Sequence, residues 1–336
     1  MRILMIGHYP PHRGGVARHV KDLVDYLSRE HEVHVITYGT VKGKGENVSY
    51  VKVPNIFGLR GTSFTLLASK LGVKLHKKLN FDLIHAHYVG TTSYAGVLIK
   101  ERTGLPLVVT AHGSDLDFTS KLPLGSYYVK KSLIKANAVI AVSHYLGVKA
   151  KMLGAENVKV IPNWVTKTGK SRGEYIAFIG RLTEYKGVED FIELAKLFPQ
   201  EKFVVAGEGP LLKKLMKESP KNVKFLGYKP SEDVLSKAKV LILPSKREGF
   251  GLVILEANSF KVPSLGRRVG GIREIIRDGK NGYTFSALDE AYEYLKELLN
   301  PKKGRKAGAI SYRISRFYSM EESCKRILKV YEEVVG

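Results

Sequence analysis

Residues 244–257 read Pro-Ser-Lys-Arg-Glu-Gly-Phe-Gly-Leu-Val-Ile-Leu-Glu-Ala. They follow an apolar, β-branched run at Val240–Leu243 and lead into a helix, so the stretch is the end of a strand, a glycine turn and a helix start. Glu248 stands in the turn and Glu256 two helical turns further on. The turn of Gly249, Phe250 and Gly251 lets backbone N–H groups approach a ligand closely, and the helix N-terminus that follows favours an anion. A carboxylate suits paired sugar or ribose hydroxyls, because it accepts two charge-assisted hydrogen bonds. A capped helix with solvated glutamates is the plainer alternative.

The same rhythm extends in both directions. In the second half, strands are expected at Tyr175–Ile179, Lys202–Val205, Val223–Phe225, Val240–Leu243, Val262–Ser264 and Tyr283–Phe285, with helices between them. In the first half they are expected at Arg2–Ile6, Glu32–Thr37, Leu83–Ala86, Leu107–Thr110, Ala138–Ala141 and Val158–Ile161. The first helix, Gly15 to Arg29, follows a Pro- and Gly-rich turn from His8 and places Val16, Val20, Leu23, Val24 and Leu27 on one face. Val165–Gly173 is rich in Lys, Thr, Ser and Gly and offers a core almost nothing, so it reads as a linker. The fold class is therefore α/β, with two doubly wound parallel sheets, and ligands are expected beyond the carboxyl ends of the strands, in the cleft between the halves. The final segment, Met320–Val335, has an apolar helical face that must dock somewhere.

The chain of 336 residues carries 55 Lys plus Arg against 32 Asp plus Glu, a net charge of +23 spread over both halves. An anionic partner follows from that excess, and even spreading favours a surface or substrate role over a basic DNA-binding arm. Hydrophobic residues at 44% and charged residues at 26% exclude disordered and fibrous classes. One cysteine, Cys324, excludes an internal disulfide and a thiolate metal cluster. No apolar run is long enough to span a membrane, and the first strand begins at Arg2, so a cytoplasmic protein is expected. A single glutamine, Gln200, beside abundant Lys and Glu resembles the composition of heat-adapted proteins.

Several further groups carry chemistry. After the first strand of the second half, Gly180–Arg181 and Lys186–Gly187 place two cations five residues apart beside glycines, an arrangement suited to a diphosphate; a solvated basic loop is the alternative. Gly270–Gly271 precedes another helix. His85 and His87 share one face of a strand end at a spacing a zinc site could use, but no third ligand is evident, and a structural role, then acceptor-side contact, are the favoured readings. Asp115–Leu116–Asp117 imitates a metal-holding Asp-x-Asp but reads as a polar, helix-capping loop. Ser69–Lys78 and Tyr127–Lys135 mix Lys with apolar residues in helical arrangement and could meet an anionic membrane, or could simply be solvated faces. The turn at Gly7–Gly15 lacks the G-x-G-x-x-G spacing of a dinucleotide-dependent dehydrogenase.

Taken together, Gly180–Arg181 with Lys186–Gly187, Ala206–Gly207–Glu208–Gly209–Pro210, Glu248–Gly249–Phe250–Gly251–Leu252 with Glu256, and Gly270–Gly271 with Glu274 resemble the retaining glycosyltransferases of family 4. Gly14–Gly15, Asp82–His87 and Ala111–Asp115 extend the resemblance over nearly the whole chain. It implies the GT-B fold: two Rossmann-like domains facing a cleft over a nucleotide-sugar donor, with the last helix crossing back to the first domain. The corresponding division is 1–164 for the acceptor-side domain, 165–173 for the linker, 174–316 for the nucleotide-sugar domain and 317–336 for the returning helix. The sequence departs from the family at Pro162–Asn163–Trp164–Val165, where an Asn-Gly-Val-Asp run is common, and in the basic run Leu265–Val269.

The resemblance implies that Arg181 and Lys186 hold the donor diphosphate, Glu256 the ribose hydroxyls and Glu248 the hydroxyls of the transferred sugar. The backbone of Phe250, Gly251 and Leu252 would contact sugar and phosphate, Gly15 would reach the diphosphate, and His112 would sit beside the reacting carbon. His112, Arg181, Lys186 and Glu248 are the catalytic candidates. The family keeps the anomeric configuration, commonly by a front-face route in which the departing phosphate accepts the acceptor's proton. No metal and no cofactor beyond the nucleotide-sugar substrate is expected. The implied function is hexosyl transfer in carbohydrate biosynthesis, with the acceptor open among a lipid-linked sugar, a polysaccharide and a small metabolite; peripheral contact at the inner membrane face is an option raised only by the Lys-rich segments 69–78 and 127–135. A nucleotide-sugar epimerase of the same fold and, from the charge alone, a basic nucleic-acid-binding protein are the alternatives; no RNA-binding module is recognisable.

Overall fold

When helices cover both faces of a parallel sheet, its strands become unbroken apolar runs. Ile3, Leu4, Met5 and Ile6 are all fully buried, as are Ile176, Ala177 and Phe178 in the second half. The computed structural model describes residues 1–12, 14–39, 47–54, 56 and 59–336. Arg13, within the expected turn before the first helix, lies outside them. The chain divides into two compact units, Met1–Asn163 with Glu321–Gly336, and Trp164–Met320.

In unit 1, strands β1 (Arg2–Ile6), β2 (Glu32–Tyr38), β3 (Val48–Val51), β4 (Leu83–His87), β5 (Leu107–Ala111), β6 (Ala138–Ala141) and β7 (Val158–Val160) form an all-parallel sheet ordered β3-β2-β1-β4-β5-β6-β7. Helices α1 (Gly15–Leu27), α2 (Leu59–Leu79), α3 (Thr91–Thr103), α4 (Ser114–Asp117), α5 (Pro123–Lys135) and α6 (His144–Met152) connect the strands. The chain winds outward from β1 to β3 and then in the other direction from β4. The strand order therefore reverses between β1 and β4, which opens a crevice at their carboxyl ends.

Unit 2 repeats this plan. Strands β8 (Tyr175–Ile179), β9 (Phe203–Ala206), β10 (Val223–Gly227), β11 (Ala238–Leu243), β12 (Ser264–Arg267) and β13 (Gly282–Phe285) are parallel in the order β10-β9-β8-β11-β12-β13, reversing between β8 and β11. Helices α7 (Val188–Leu197), α8 (Leu212–Glu218), α9 (Ser231–Leu235), α10 (Leu252–Ser259), α11 (Ile272–Ile275), α12 (Leu288–Leu299) and α13 (Pro301–Ser315) surround the sheet. Its core is built on Phe178, Phe191, Phe203 and Phe285, each fully buried; each such ring contributes about 1.5–3 kcal/mol.

The last helix, α14 (Met320–Val335), buries Cys324, Ile327, Val330 and Tyr331. Residues Glu321–Gly336 belong to unit 1. There the Tyr331 hydroxyl hydrogen-bonds His85 Nδ1 at 2.5 Å, and Ser323 Oγ donates to the Pro162 carbonyl at 3.1 Å.

Three details differ from the sequence reading. Strand β3 was not anticipated. Strand β12 begins at Ser264 rather than Val262, because Pro263 has no N–H to donate to the ladder. The Val165–Gly173 segment is part of unit 2, with Gly169 N–H donating to the Ser259 carbonyl at 3.1 Å and Arg172 N–H to the Ser236 carbonyl at 2.9 Å.

Candidate functional site

The loops that leave β8 and β11 stand side by side, because those strands pair in the sheet. After β8 come Gly180 and the exposed Arg181, then a single 3-10 turn, Glu184–Lys186. Gly187 ends that turn in the left-handed region at φ 64° and opens α7. A Cβ at Gly187 would lie 2.2 Å from the Pro244 carbonyl oxygen, so glycine alone lets the two loops meet there. Lys246 N–H donates to the Tyr185 carbonyl at 2.8 Å and adds a second tie.

Across this junction Lys186 Nζ donates to Glu248 Oε2 at 2.7 Å, with side chains only 19% and 17% exposed. Burial works against the charge on Lys186, but the attraction and hydrogen bond of the Glu248 carboxylate outweigh it and hold the amine above the ordinary lysine value. Gly251, at φ 92°, caps α10, in which Leu252 is first and Glu256 lies half-buried one turn later. Phe250 is buried, edge-on to Tyr318 at 6.0 Å. Gly271 N–H donates to the Glu248 carbonyl at 3.1 Å, so the paired glycines of the sequence brace the Glu248 turn.

Sequence reasoning did not find the support beneath this junction. Arg267, at the end of β12, donates from Nε to the Pro244 carbonyl at 3.3 Å and from Nη1 to the Ser286 carbonyl at 3.0 Å, and it pairs with Asp190 on α7. The unexpectedly basic run at 265–269 thus has a structural use. The opposite charges at 190 and 267 were its only trace in the sequence.

Gly15 and His112 lie in unit 1, and the other seven candidates lie in unit 2. Gly15 is exposed at the first position of α1. His112 is half-buried after β5, where its backbone N–H donates to Asp115 Oδ2 at 2.9 Å. Asp115 is fully buried and accepts further N–H bonds from Val89 at 2.9 Å, Gly113 at 2.6 Å and Leu116 at 3.0 Å. It is an internal clamp rather than a surface loop residue: burial raises its pKa and these four donors oppose the rise. Asp117 accepts from the Tyr145 hydroxyl at 2.7 Å and pairs with Lys149.

Of the two strand-end histidines, His85 takes the structural role the sequence reading weighed, and His87 departs from it. His85 is buried with both ring nitrogens engaged, Nδ1 by Tyr331 and Nε2 by Thr110 Oγ1 at 2.7 Å, a satisfied structural role. His87 instead faces two further imidazoles, His19 of α1 and His112, so a third potential ligand does exist. His19 lies on the apolar face of α1, one residue before Val20. That placement was the only signal for it in the sequence.

Two doubly wound sheets, with charged glycine turns at the switch point of the second, form an architecture that nucleotide-sugar glycosyltransferases share with other enzymes, and comparison with known proteins specifies the family. The model of the family Glycosyl transferases group 1 matches residues 160–313, and that of Glycosyltransferase Family 4 matches residues 13–167. An uncharacterised glycosyltransferase of Methanocaldococcus jannaschii is 32% identical over 99% of both chains. The N-acetyl-alpha-D-glucosaminyl L-malate synthase of Bacillus anthracis is 29% identical over 83% of this chain and 84% of its own. Among solved structures, the sucrose-phosphate synthase of Thermosynechococcus elongatus superposes with a TM-score of 0.87 at 18% identity over 99% of this chain and 98% of its own. The Anabaena protein Alr3699/HepE, solved with UDP and glucose, gives 0.83 at 20% identity over 99% of this chain and all of its own. The structural likeness speaks for the GT-B fold. The chain belongs to the glycosyltransferases of group 1 and family 4, and it is a glycosyltransferase.

Proposed function

We propose that the chain transfers a hexose-type sugar from a nucleotide-diphosphate sugar to an acceptor hydroxyl, with retention of configuration and without a metal ion. The observation that carries this reading is the largely buried Lys186–Glu248 pair at the β8/β11 switch point, with Arg181 exposed on the same loop. Lys186 and Arg181 are assigned to the diphosphate, Glu248 to the sugar hydroxyls and Glu256 to the ribose. The backbone of Phe250, Gly251 and Leu252 is assigned to sugar and phosphate. The roles of Gly15 at the diphosphate and His112 at the sugar rest on the family resemblance.

As the bond from the anomeric carbon to the diphosphate oxygen breaks, negative charge collects on the phosphate and positive charge on the sugar. Fixed cations beside the phosphate therefore stabilise the transition state more than the ground state. The acceptor oxygen forms its new bond to the anomeric carbon on the same face, and its proton passes to the departing phosphate oxygen, so no separate base is needed.

Incubation with labelled nucleotide sugars, UDP-linked ones first, tests the reading: transfer or slow hydrolysis supports it, and an altered sugar on an intact nucleotide supports an epimerase. Activity is expected to survive a chelator; loss of activity with restoration by added divalent metal would end the metal-independent reading. Glu256→Ala is expected to weaken nucleotide binding by about 1.5–3 kcal/mol, the size of charged hydrogen bonds. Unchanged affinity by calorimetry would remove Glu256 from the ribose.

A second observation bears on the acceptor. Leu66 and Leu67 on α2 and Leu124, Tyr127 and Ile134 on α5 are exposed among lysines, and both helices pack on α3. Among the described residues no helix is long and apolar enough to cross a membrane. This mixed surface fits peripheral attachment to an anionic bilayer, at roughly 1 kcal/mol per cation. Co-sedimentation with anionic vesicles that disappears at high salt is expected, and equal binding to neutral vesicles would contradict it.

A further inference from the structure

The chain has 10 histidines, all within its first 144 residues. Folding gathers four of them at the carboxyl end of the unit 1 sheet: His19 from α1, His85 and His87 from β4, and His112 from the loop after β5. His85 is already committed through both nitrogens. The other three each present a ring nitrogen, and these atoms all lie within 4.8 Å of one another.

His87 Nδ1 and His112 Nε2 are 3.3 Å apart. That is long for an N–H···N hydrogen bond, but it matches the edge of a tetrahedron whose corners stand about 2.0–2.1 Å from a central ion, roughly 3.3–3.4 Å. His87 Nε2 is buried with no hydrogen-bond partner among the described residues, so neither nitrogen of this ring has the strong protein partners that hold His85. A neutral imidazole offers the lone pair that a metal takes.

We propose that His19, His87 and His112 form a three-imidazole site for a borderline-soft divalent cation of the zinc, cobalt or nickel class. Three neutral nitrogen donors suit those ions and not magnesium or calcium, which require oxygen ligands. His19 and His87 are buried and His112 half-buried, so the ion enters past His112, and its fourth position is left for water or a ligand. His112 is also the residue assigned to the sugar; the ring nitrogen that faces His87 is Nε2, so the site takes that atom alone, the ion has no part in the transfer step, and binding rather than activity is the measurement.

Metal-stripped full-length chain is titrated with cobalt(II). The expected result is one equivalent bound, with the visible absorption of a four-coordinate ion, displaced by zinc and unaffected by magnesium. His112→Asn and His19→Gln, checked for folding by circular dichroism, should each weaken binding by about tenfold or more. His31→Ala, beside the amino terminus, should leave it unchanged. Absence of stoichiometric binding, wild-type affinity in both cluster variants, loss of binding in His31→Ala, or competition by magnesium would overturn the proposal. Should a variant fail to fold, cobalt-induced shifts of the wild-type imidazole resonances decide: perturbation of His19, His87 and His112 supports the site, and perturbation of other histidines alone defeats it.

Discussion

Lys186 keeps its charge in a largely buried setting because Glu248 lies 2.7 Å away. Lys186→Ala removes the cation assigned to the phosphate and leaves the carboxylate without its partner. Turnover is expected to fall about a hundred- to a thousandfold, the cost of one preorganised electrostatic donor; normal turnover in a steady-state assay would take Lys186 out of the site. The buried histidines set a pH dependence of stability. Burial holds His19 at about 4 and His85 at about 3, whereas an unfolded ring takes up a proton near 6.5. The unfolded chain thus binds more protons between those values, so this stability is complete above about pH 6.5 and is lost as the pH falls toward 4. The expected slope is about 1.4 kcal/mol per pH unit for each ring. Urea unfolding midpoints at pH 7.5 and pH 5 test it, and equal midpoints would contradict it. Arg181, Lys186 and Glu248 were legible in the sequence because each sits in a turn a few residues from its neighbours, and Glu256 because it lies on the helix that the Glu248 turn opens. His19 was not, since a lone histidine on an apolar helical face gives no hint of what lies opposite.

The elements that carry the site are a strand, a glycine turn and a helix start, used once after β8 and once after β11. Gly187 is where the two turns touch. Gly187→Ala would force a left-handed backbone on a Cβ that also meets the Pro244 carbonyl. We expect a loss of about 1–3 kcal/mol in stability, together with weaker nucleotide binding as the Lys186 and Glu248 loops are pushed apart. Thermal unfolding and calorimetry check the two effects, and a variant with wild-type values in both would show that the junction does not position the site. Most strands were legible because both sheet faces are covered, which demands continuous apolar runs. Strand β3 escaped because Val48–Val51 is a four-residue edge strand whose first three residues are only partly buried, so packing imposes no pattern on Val-Ser-Tyr-Val.

At the scale of the whole molecule, the contact between Tyr331 and His85 joins residues 246 positions apart and seats the last helix in unit 1. Tyr331→Phe keeps the buried ring but leaves His85 Nδ1 without its partner. Stability should fall by about 1–3 kcal/mol, read from denaturant unfolding; an unchanged midpoint would mean that packing alone seats the helix. The α/β class, the two successive sheets, the turns bearing Arg181, Lys186 and Glu248, and the helix bearing Glu256 follow from the sequence by itself, because burial pattern and turn chemistry are local properties. Tertiary structure alone decided that Lys186 pairs with Glu248, that Arg267 braces Pro244 and Asp190, and that His87 faces His19 and His112. The reason is strand order: each of these meetings depends on which strands lie side by side in a sheet, and no short-range pattern in the chain encodes that choice.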